Sequence, residues 1–254
     1  MALLELSGLS KRFGGLQAVS DVSLAVEAGT VKAVIGPNGA GKTTLFNLVS
    51  GVTAPDAGRV TFQGEAIQGR APHEVAARGL ARTFQQIRLF GGMSALENVM
   101  VGAHVRGRAG FLAGMLHLPW TWGEERALAA RAREALEFLG LSAVAEAEAT
   151  SLSYGQQRGV ELARALAGEP RLILLDEPAA GLNMRETTEL SGLIRRIRDR
   201  GVTVLLVEHD MSLVMEVSDE VAVLCFGQKI ADAAPAAVQR DPEVIRVYLG
   251  DDEC

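Results

Sequence analysis

The chain has 254 residues, a net charge of −6 and 48% hydrophobic residues, a composition that supplies a sizeable core and argues against nucleic acid as its main partner. Two cysteines, Cys225 and Cys254, are too few for a disulfide framework. The longest weakly polar stretch, residues 109–122, holds His117 and Pro119 and falls short of the about 20 apolar residues of a spanning helix; the opening MALLELSGLSKR puts its acid before its bases, the wrong order for a secretory signal.

Short strand patterns open the chain at residues 3–7 and at Val22, Leu24 and Val26. Residues 31–35 form a mostly apolar run that ends in a glycine-rich turn, with a helix expected from Lys42 to about Val49 and another strand over 58–62. From Ser94 to about Glu148 the pattern is mainly helical, and Ser94 and Glu97 have capping-box spacing at its start. Two fully apolar runs follow, residues 172–175 and 202–207, as expected of strands covered on both faces. The helix between them carries Leu190, Leu193, Ile194 and Ile197 on one side. Strand, helix, strand at this spacing is a βαβ unit, which implies an α/β core.

Within that frame, GPNGAGKTT matches the phosphate-loop pattern: Gly36, Pro37, Asn38, Gly39, Ala40, Gly41, Lys42, Thr43 and Thr44. Its glycines let backbone wrap a phosphate without Cβ clashes, and the helix start aims N–H groups at it. Lys42 is expected to reach the β- and γ-phosphates of ATP, and the Thr43 hydroxyl to bind Mg²⁺. Further on, RLILLDEP delivers Asp176 and Glu177 to the carboxyl end of a buried strand, where ligands bind in open parallel sheets. Asp176 is a candidate Mg²⁺ ligand, and Glu177 a candidate general base for an attacking water.

LSYGQQ, residues 152–157, adds the most specific token, and with it the chain resembles the ABC ATPase family over nearly its whole length. Ser153, Gly155 and Gln156 match the usual LSGGQ signature, and Tyr154 departs from it. Ser153 and Gln156 also have capping-box spacing, and a capped helix N-terminus is an anion site. The resemblance implies further roles, in order along the chain. Phe13 stacks on adenine, Gln85 in RTFQQ senses Mg²⁺ and links to the helical subdomain, and His209 in VEHD contacts the γ-phosphate. Asn183 in AGLN stands where the family often has a carboxylate, keeping hydrogen bonding across a dimer without the charge.

What the resemblance implies is a P-loop (RecA-like) ABC nucleotide-binding domain over residues 1–254, with an N-terminal antiparallel β subdomain and a helical subdomain. The β-rich and P-loop core is expected at about 1–90 and 160–254, and the helical part at about 91–159. It also implies a head-to-tail dimer, each ATP lying between the phosphate loop of one copy and the Ser153 helix of the other. RTFQQIRLF, ENVMVGAH, LSYGQQR, DEPAAGLN, EHDMSLVM and DPEVIRVYLG narrow the resemblance to the ATPase subunits of branched-chain (hydrophobic) amino acid importers. Such a subunit works at the cytoplasmic face of a membrane. Its partners are integral-membrane permease subunits, a second ATPase subunit (itself or a related chain) and, indirectly, an extracytoplasmic solute-binding protein. Alternatives are import of urea or amides, or a soluble ABC ATPase of iron–sulfur cluster assembly. In the tail, Asp241 is expected to cap a helix with Pro242 at its first position, docking Val244, Val247 and Tyr248 on the core. Segment 110–122 is expected either to border the partner groove or to fill the helical part.

Overall fold

The computed structural model describes residues 2–106 and 121–249. Apolar alternation makes the first two strands, β1 (Ala2–Phe13) and β2 (Leu16–Glu27), a long antiparallel pair with Leu4, Leu6, Leu9, Val22, Leu24 and Val26 buried. The buried strand β3 (Val31–Ile35) follows and runs through the glycine-rich turn into helix α1 (Lys42–Val49). Next come β4 (Ala57–Phe62), β5 (Glu65–Ala66), helix α2 (Pro72–Ala77) and β6 (Leu80–Arg82).

Helices α3 (Ala95–Ala103), α4 (Thr121–Phe138) and α5 (Tyr154–Leu166) come next. The chain then returns to strand and helix: β7 (Leu172–Asp176), α6 (Met184–Asp199), β8 (Thr203–Val207), α7 (Met211–Val217), β9 (Glu220–Cys225) and β10 (Gln228–Ala233). Two short helices close it, α8 (Pro235–Val238) and α9 (Pro242–Leu249).

Two compact units result. One comprises the chain up to Arg82 and from Arg171 on, the other Thr83–Pro170. The first holds a four-stranded sheet ordered β2-β1-β4-β5 and a six-stranded sheet ordered β10-β9-β3-β8-β7-β6. In the larger sheet β9, β3, β8, β7 and β6 are parallel and β10 runs antiparallel beside β9. Every residue of β3, β7 and β8 is buried. At roughly 1.5–3 kcal/mol per buried aliphatic side chain, these strands form a stiff frame for the loops at their ends.

Lys32 is the polar exception in β3. Its ammonium, 3% exposed, pairs with Glu220 of β9 at 2.9 Å and Asp232 of β10 at 2.7 Å, which resolves an otherwise costly buried charge. In the tail, Asp241 accepts from the Glu243 and Val244 amides, as a cap should, and Val244 is buried while Tyr248 stays partly exposed.

The second unit is helical. Ser94 and Glu97 form the expected capping box, Ser94 Oγ accepting from the Glu97 amide at 3.1 Å and Glu97 Oε2 from the Ser94 amide at 2.7 Å. Leu96, Val99, Leu128, Ala132, Leu136 and Val160 form its own core. This unit is wider than the span 91–159 read from the sequence, because α5 packs as a whole helix with α3 and α4. Segment 110–122 lies outside the described residues except for the start of α4.

Candidate functional site

Three neighbouring parallel strands end on one line. Val34 of β3 is in register with Val207 of β8, and Val207 with Asp176 of β7. Gly36, Glu208 and Glu177 therefore leave the sheet along the same edge, at the carboxyl ends where open parallel sheets bind ligands. Strands are about 4.8 Å apart, so the ends of β3 and β7 are separated by about 10 Å, the scale of a triphosphate with an attacking water.

The loop after β3 requires glycine at two positions. Gly36 has φ 150°, and a Cβ there would lie 2.1 Å from the Leu224 carbonyl oxygen. Gly41 has φ 97°, and its Cβ would lie 2.3 Å from the Ala18 carbonyl oxygen. Gly41 is also the N-cap of α1 with no side chain to cover the helix amides, so the first turn presents its N–H groups and its dipole. The loop is tied behind by the Gly227 amide donating to the Ala40 carbonyl at 3.1 Å. The tail reaches it too. Burial raises the pKa of the Tyr248 phenol to about 12, and the Gly36 backbone beside it opposes that shift. Asn38, Gly39 and Thr43 are exposed, Pro37 and Thr44 half-buried.

Lys42 is 7% exposed and donates to the carbonyls of Gly36 at 2.6 Å and Pro37 at 2.9 Å. Burial lowers its pKa, against the pull of Glu177 and Asp176, whose negative charges favour the ammonium. A partly desolvated cation is thus held within its own loop, facing two carboxylates.

Asp176 ends β7 and is 3% exposed. Its Oδ2 accepts from Arg82 Nη2 at 2.9 Å. Arg82 ends the edge strand β6, and its Nη1 also donates to Asn47 Oδ1 at 2.7 Å and Ser50 Oγ at 2.9 Å, both in α1 or its cap. The guanidinium lies 5.7 Å from the centroid of the Phe46 ring. One buried arginine therefore braces the Asp176 carboxylate against the helix that carries Lys42 and Thr43. Breaking such a buried pair from one side costs about 3–5 kcal/mol.

Glu177 is held in the left-handed region, φ 47°, with its amide bonded to the Val207 carbonyl at 2.9 Å. For a residue with a Cβ this costs of order 1–3 kcal/mol and marks a position fixed by its surroundings. His209 Nδ1 lies 3.8 Å from Glu177 Oε2 and 3.7 Å from Glu208 Oε2. The His209 side chain is 64% exposed. Glu208 is wholly buried and accepts from three amides: Ala179 at 2.8 Å, His209 at 2.9 Å and Asp210 at 3.3 Å. It thereby fastens the loop after β7 to the loop after β8.

Phe13 stands at the tip of the β1–β2 pair, 50% exposed, with Lys11 Nζ 5.6 Å from its ring centroid. Asn183 caps α6, its Oδ1 accepting from the Arg185 amide at 3.0 Å and the Glu186 amide at 3.1 Å. The side-chain oxygen thus has a local task as a helix cap. The first unit thus brings together the phosphate loop, Asp176, Glu177 and His209. Gln85, Ser153, Gly155 and Gln156 belong to the helical unit. There Gln85 is exposed on a bend, and Ser153 caps α5 in a box with Gln156, Oγ accepting at 3.4 Å and Gln156 Oε1 at 3.1 Å.

Sequence reasoning named neither Arg82 nor Glu208. Glu208 was open to it: an acid directly after an apolar run, as with Asp176. Arg82 gave no local signal, since its carboxylate partner is 94 positions away.

The residues fit a nucleotide and a hard cation. The first turn of α1 has no side-chain cap over its amides, and Thr43 and Asp176 offer only oxygen donors, the kind Mg²⁺ takes alongside phosphate oxygens and water. Among the described residues no cluster of three or more His, Cys, Asp or Glu side chains could hold a metal by itself.

Residues 19–180 match the family model for the ABC transporter, and residues 228–254 that for the branched-chain amino acid ATP-binding cassette transporter. The chain is 47% identical to the high-affinity branched-chain amino acid transport ATP-binding protein BraF of Pseudomonas aeruginosa, covering 98% of both chains. It is 41% identical to LivG of Escherichia coli, again over 98% of both. Among solved structures, a nucleotide-free ATP-binding cassette from an ABC transporter superposes with a TM-score of 0.86 at 34% identity, over 99% of this chain and 100% of the other. A dimeric post-hydrolysis state of the ATP-binding cassette MJ0796 with ADP and Pi superposes with a TM-score of 0.77 at 25% identity, over 91% of this chain and 98% of that one.

Proposed function

Because the chain belongs to the ABC transporter family, among its branched-chain amino acid ATP-binding cassettes, we propose that it is the ATP-hydrolysing motor subunit of an importer for branched-chain amino acids. The observation that carries the chemistry is the single register line that sets the phosphate loop, Asp176–Glu177 and Glu208–His209 side by side.

Binding starts at the loop. The amides of residues 39–44 and the α1 dipole hold the phosphates, Lys42 exchanges its loop carbonyls for β- and γ-phosphate oxygens, and Phe13 offers its exposed ring to adenine. Thr43 and Asp176 would hold Mg²⁺, with Gln85 sensing it; the ion supplies charge neutralisation at the β- and γ-phosphates. Glu177 takes the proton of the attacking water as it adds in line to the γ-phosphorus, the bond from that phosphorus to the β–γ bridging oxygen breaks so that ADP leaves with the electron pair, and His209 steadies the γ-phosphate oxygens. Little covalent work is asked of the protein, so positioning and charge carry the rate.

ATP sits in a head-to-tail dimer, where the α5 N-terminus with Ser153, Gly155 and Gln156 covers the γ-phosphate held by the other copy. Loss of that phosphate removes contacts to both halves, which lets hydrolysis reopen the pair. No helix among the described residues is long and apolar enough to cross a membrane; attachment at the cytoplasmic face is assigned to permease subunits. A solute-binding protein meets the assembly from the other side.

The test is capture from solubilised membranes with tagged Glu177→Gln protein and ATP. The expected catch is a multi-span permease, together with a second ATPase subunit. Recovery of soluble assembly proteins alone would overturn the transporter reading in favour of a soluble ABC ATPase.

A further inference from the structure

Helix α5 carries a buried arginine, the last residue of LSYGQQR, whose motif membership does not say what its side chain does. Arg158 lies one turn beyond Tyr154 and is 8% exposed. Its Nη1 donates to the Phe84 carbonyl at 2.7 Å and to Glu161 Oε2 at 3.1 Å. Its Nη2 donates to the Gln85 carbonyl at 2.5 Å and to the Tyr154 phenolic oxygen at 3.2 Å. The guanidinium also lies 5.7 Å from the centroid of the Tyr154 ring. All of these groups belong to the helical unit.

Two successive carbonyls of a stretch outside strand and helix are thus gripped by one planar fork. Guanidinium geometry permits this, because its donors point along fixed, diverging directions; a lysine ammonium is a point charge and lacks the fork. Glu161 supplies the counter-charge. It is 2% exposed, and burial pushes its carboxyl up while Arg158 and Arg164 oppose that shift. Tyr154, where the signature departs from glycine, supplies both an acceptor oxygen and a ring face. Glycine could supply neither. The departure therefore gains a structural reason: the phenol completes the setting of Arg158.

We propose that Arg158, braced by Glu161 and Tyr154, is a positioning residue that ties the backbone of Gln85 to the helix capped by Ser153, so that the two nucleotide-facing elements of the helical unit act as one body. This rests on the ATPase reading for the roles of Gln85 and Ser153. Nucleotide affinity resides mainly in the other unit, so loss of the tie falls on turnover rather than on ATP binding.

Two variants of the full chain test it. Arg158→Lys keeps a cation for Glu161 but cannot serve both carbonyls. The pair Arg158→Met, Glu161→Leu removes this buried ion pair as a unit, often a neutral change for stability, and leaves Arg164, 3.9 Å from Glu161, its bond to the Arg88 carbonyl. In both, kcat for Mg²⁺-ATP is expected to fall about tenfold or more with KM for ATP within about threefold, as misplacement of a positioned group requires. Amide hydrogen exchange over residues 84–88 is expected to quicken by about tenfold while α3 stays protected. A kcat within about twofold of wild type, with exchange unchanged at 84–88, would overturn the tie. Wild-type hydrolysis and its loss in Glu177→Gln are measured alongside, so failure of the tie is distinct from failure of the ATPase reading.

Discussion

Glu177→Gln is expected to bind ATP and to hydrolyse it at least about 100-fold more slowly, the scale of losing a general base. The glutamine is nearly isosteric, so the left-handed backbone at this position and its amide bond to Val207 are retained. What changes is that an amide cannot accept the proton of the attacking water. Lys42 and the loop amides, to which phosphate binding is assigned in the proposal, are untouched, so affinity is expected to stay near wild type. With ATP bound and uncleaved, the contacts that close two copies persist, and the variant should accumulate as a dimer on a sizing column. Single-turnover phosphate release measures the first effect directly. Unchanged turnover would remove Glu177 as the base and shift attention to His209, the titratable neighbour 3.8 Å from its carboxylate.

Ser153→Arg is expected to abolish ATP-dependent dimerisation while leaving ATP binding by the phosphate loop within a few-fold. Ser153 is an exposed cap whose hydroxyl accepts only a long, 3.4 Å bond from Gln156. Its loss costs about 1 kcal/mol of helix stability, so the helical unit stays folded. The arginine instead places a long side chain at the point where another copy must approach closely. Multi-copy hydrolysis should fall with the dimer, by about 100-fold if the γ-phosphate contacts from α5 are needed in the transition state. Combining this change with Glu177→Gln gives a clean reading by light scattering. A double variant that still dimerises with ATP would show that the Ser153 helix is not the covering element.

The site's parts differ in how far they could be read from sequence alone, and the difference follows chain distance. The phosphate loop is local: nine successive residues carry the glycines, the lysine and the threonines, and the strand and helix on either side form where the pattern places them. Asp176 and Glu177 were legible because four apolar residues deliver them. Arg82 was not. It ends a strand of only three residues, too short to show a period, and its partners come from α1 and β7. Lys32 was likewise absorbed into an apolar run, since its two carboxylates lie on strands made far later in the chain. Arg158 has no local signal of its task, because the two carbonyls it holds lie more than 70 positions earlier in the chain. Strand order escaped for the same reason. β3 lies between β8 and β9, a neighbourhood set by packing rather than by sequence proximity.

The central claim is that this chain's ATP hydrolysis drives entry of branched-chain amino acids. Uptake of radiolabelled leucine, isoleucine and valine, measured in cells lacking the chain and then supplied with wild type or Glu177→Gln, tests it most directly. The account predicts that high-affinity uptake is lost, returns with wild type and does not return with the variant; uptake that survives the loss of the chain, or that Glu177→Gln restores in full, would contradict it.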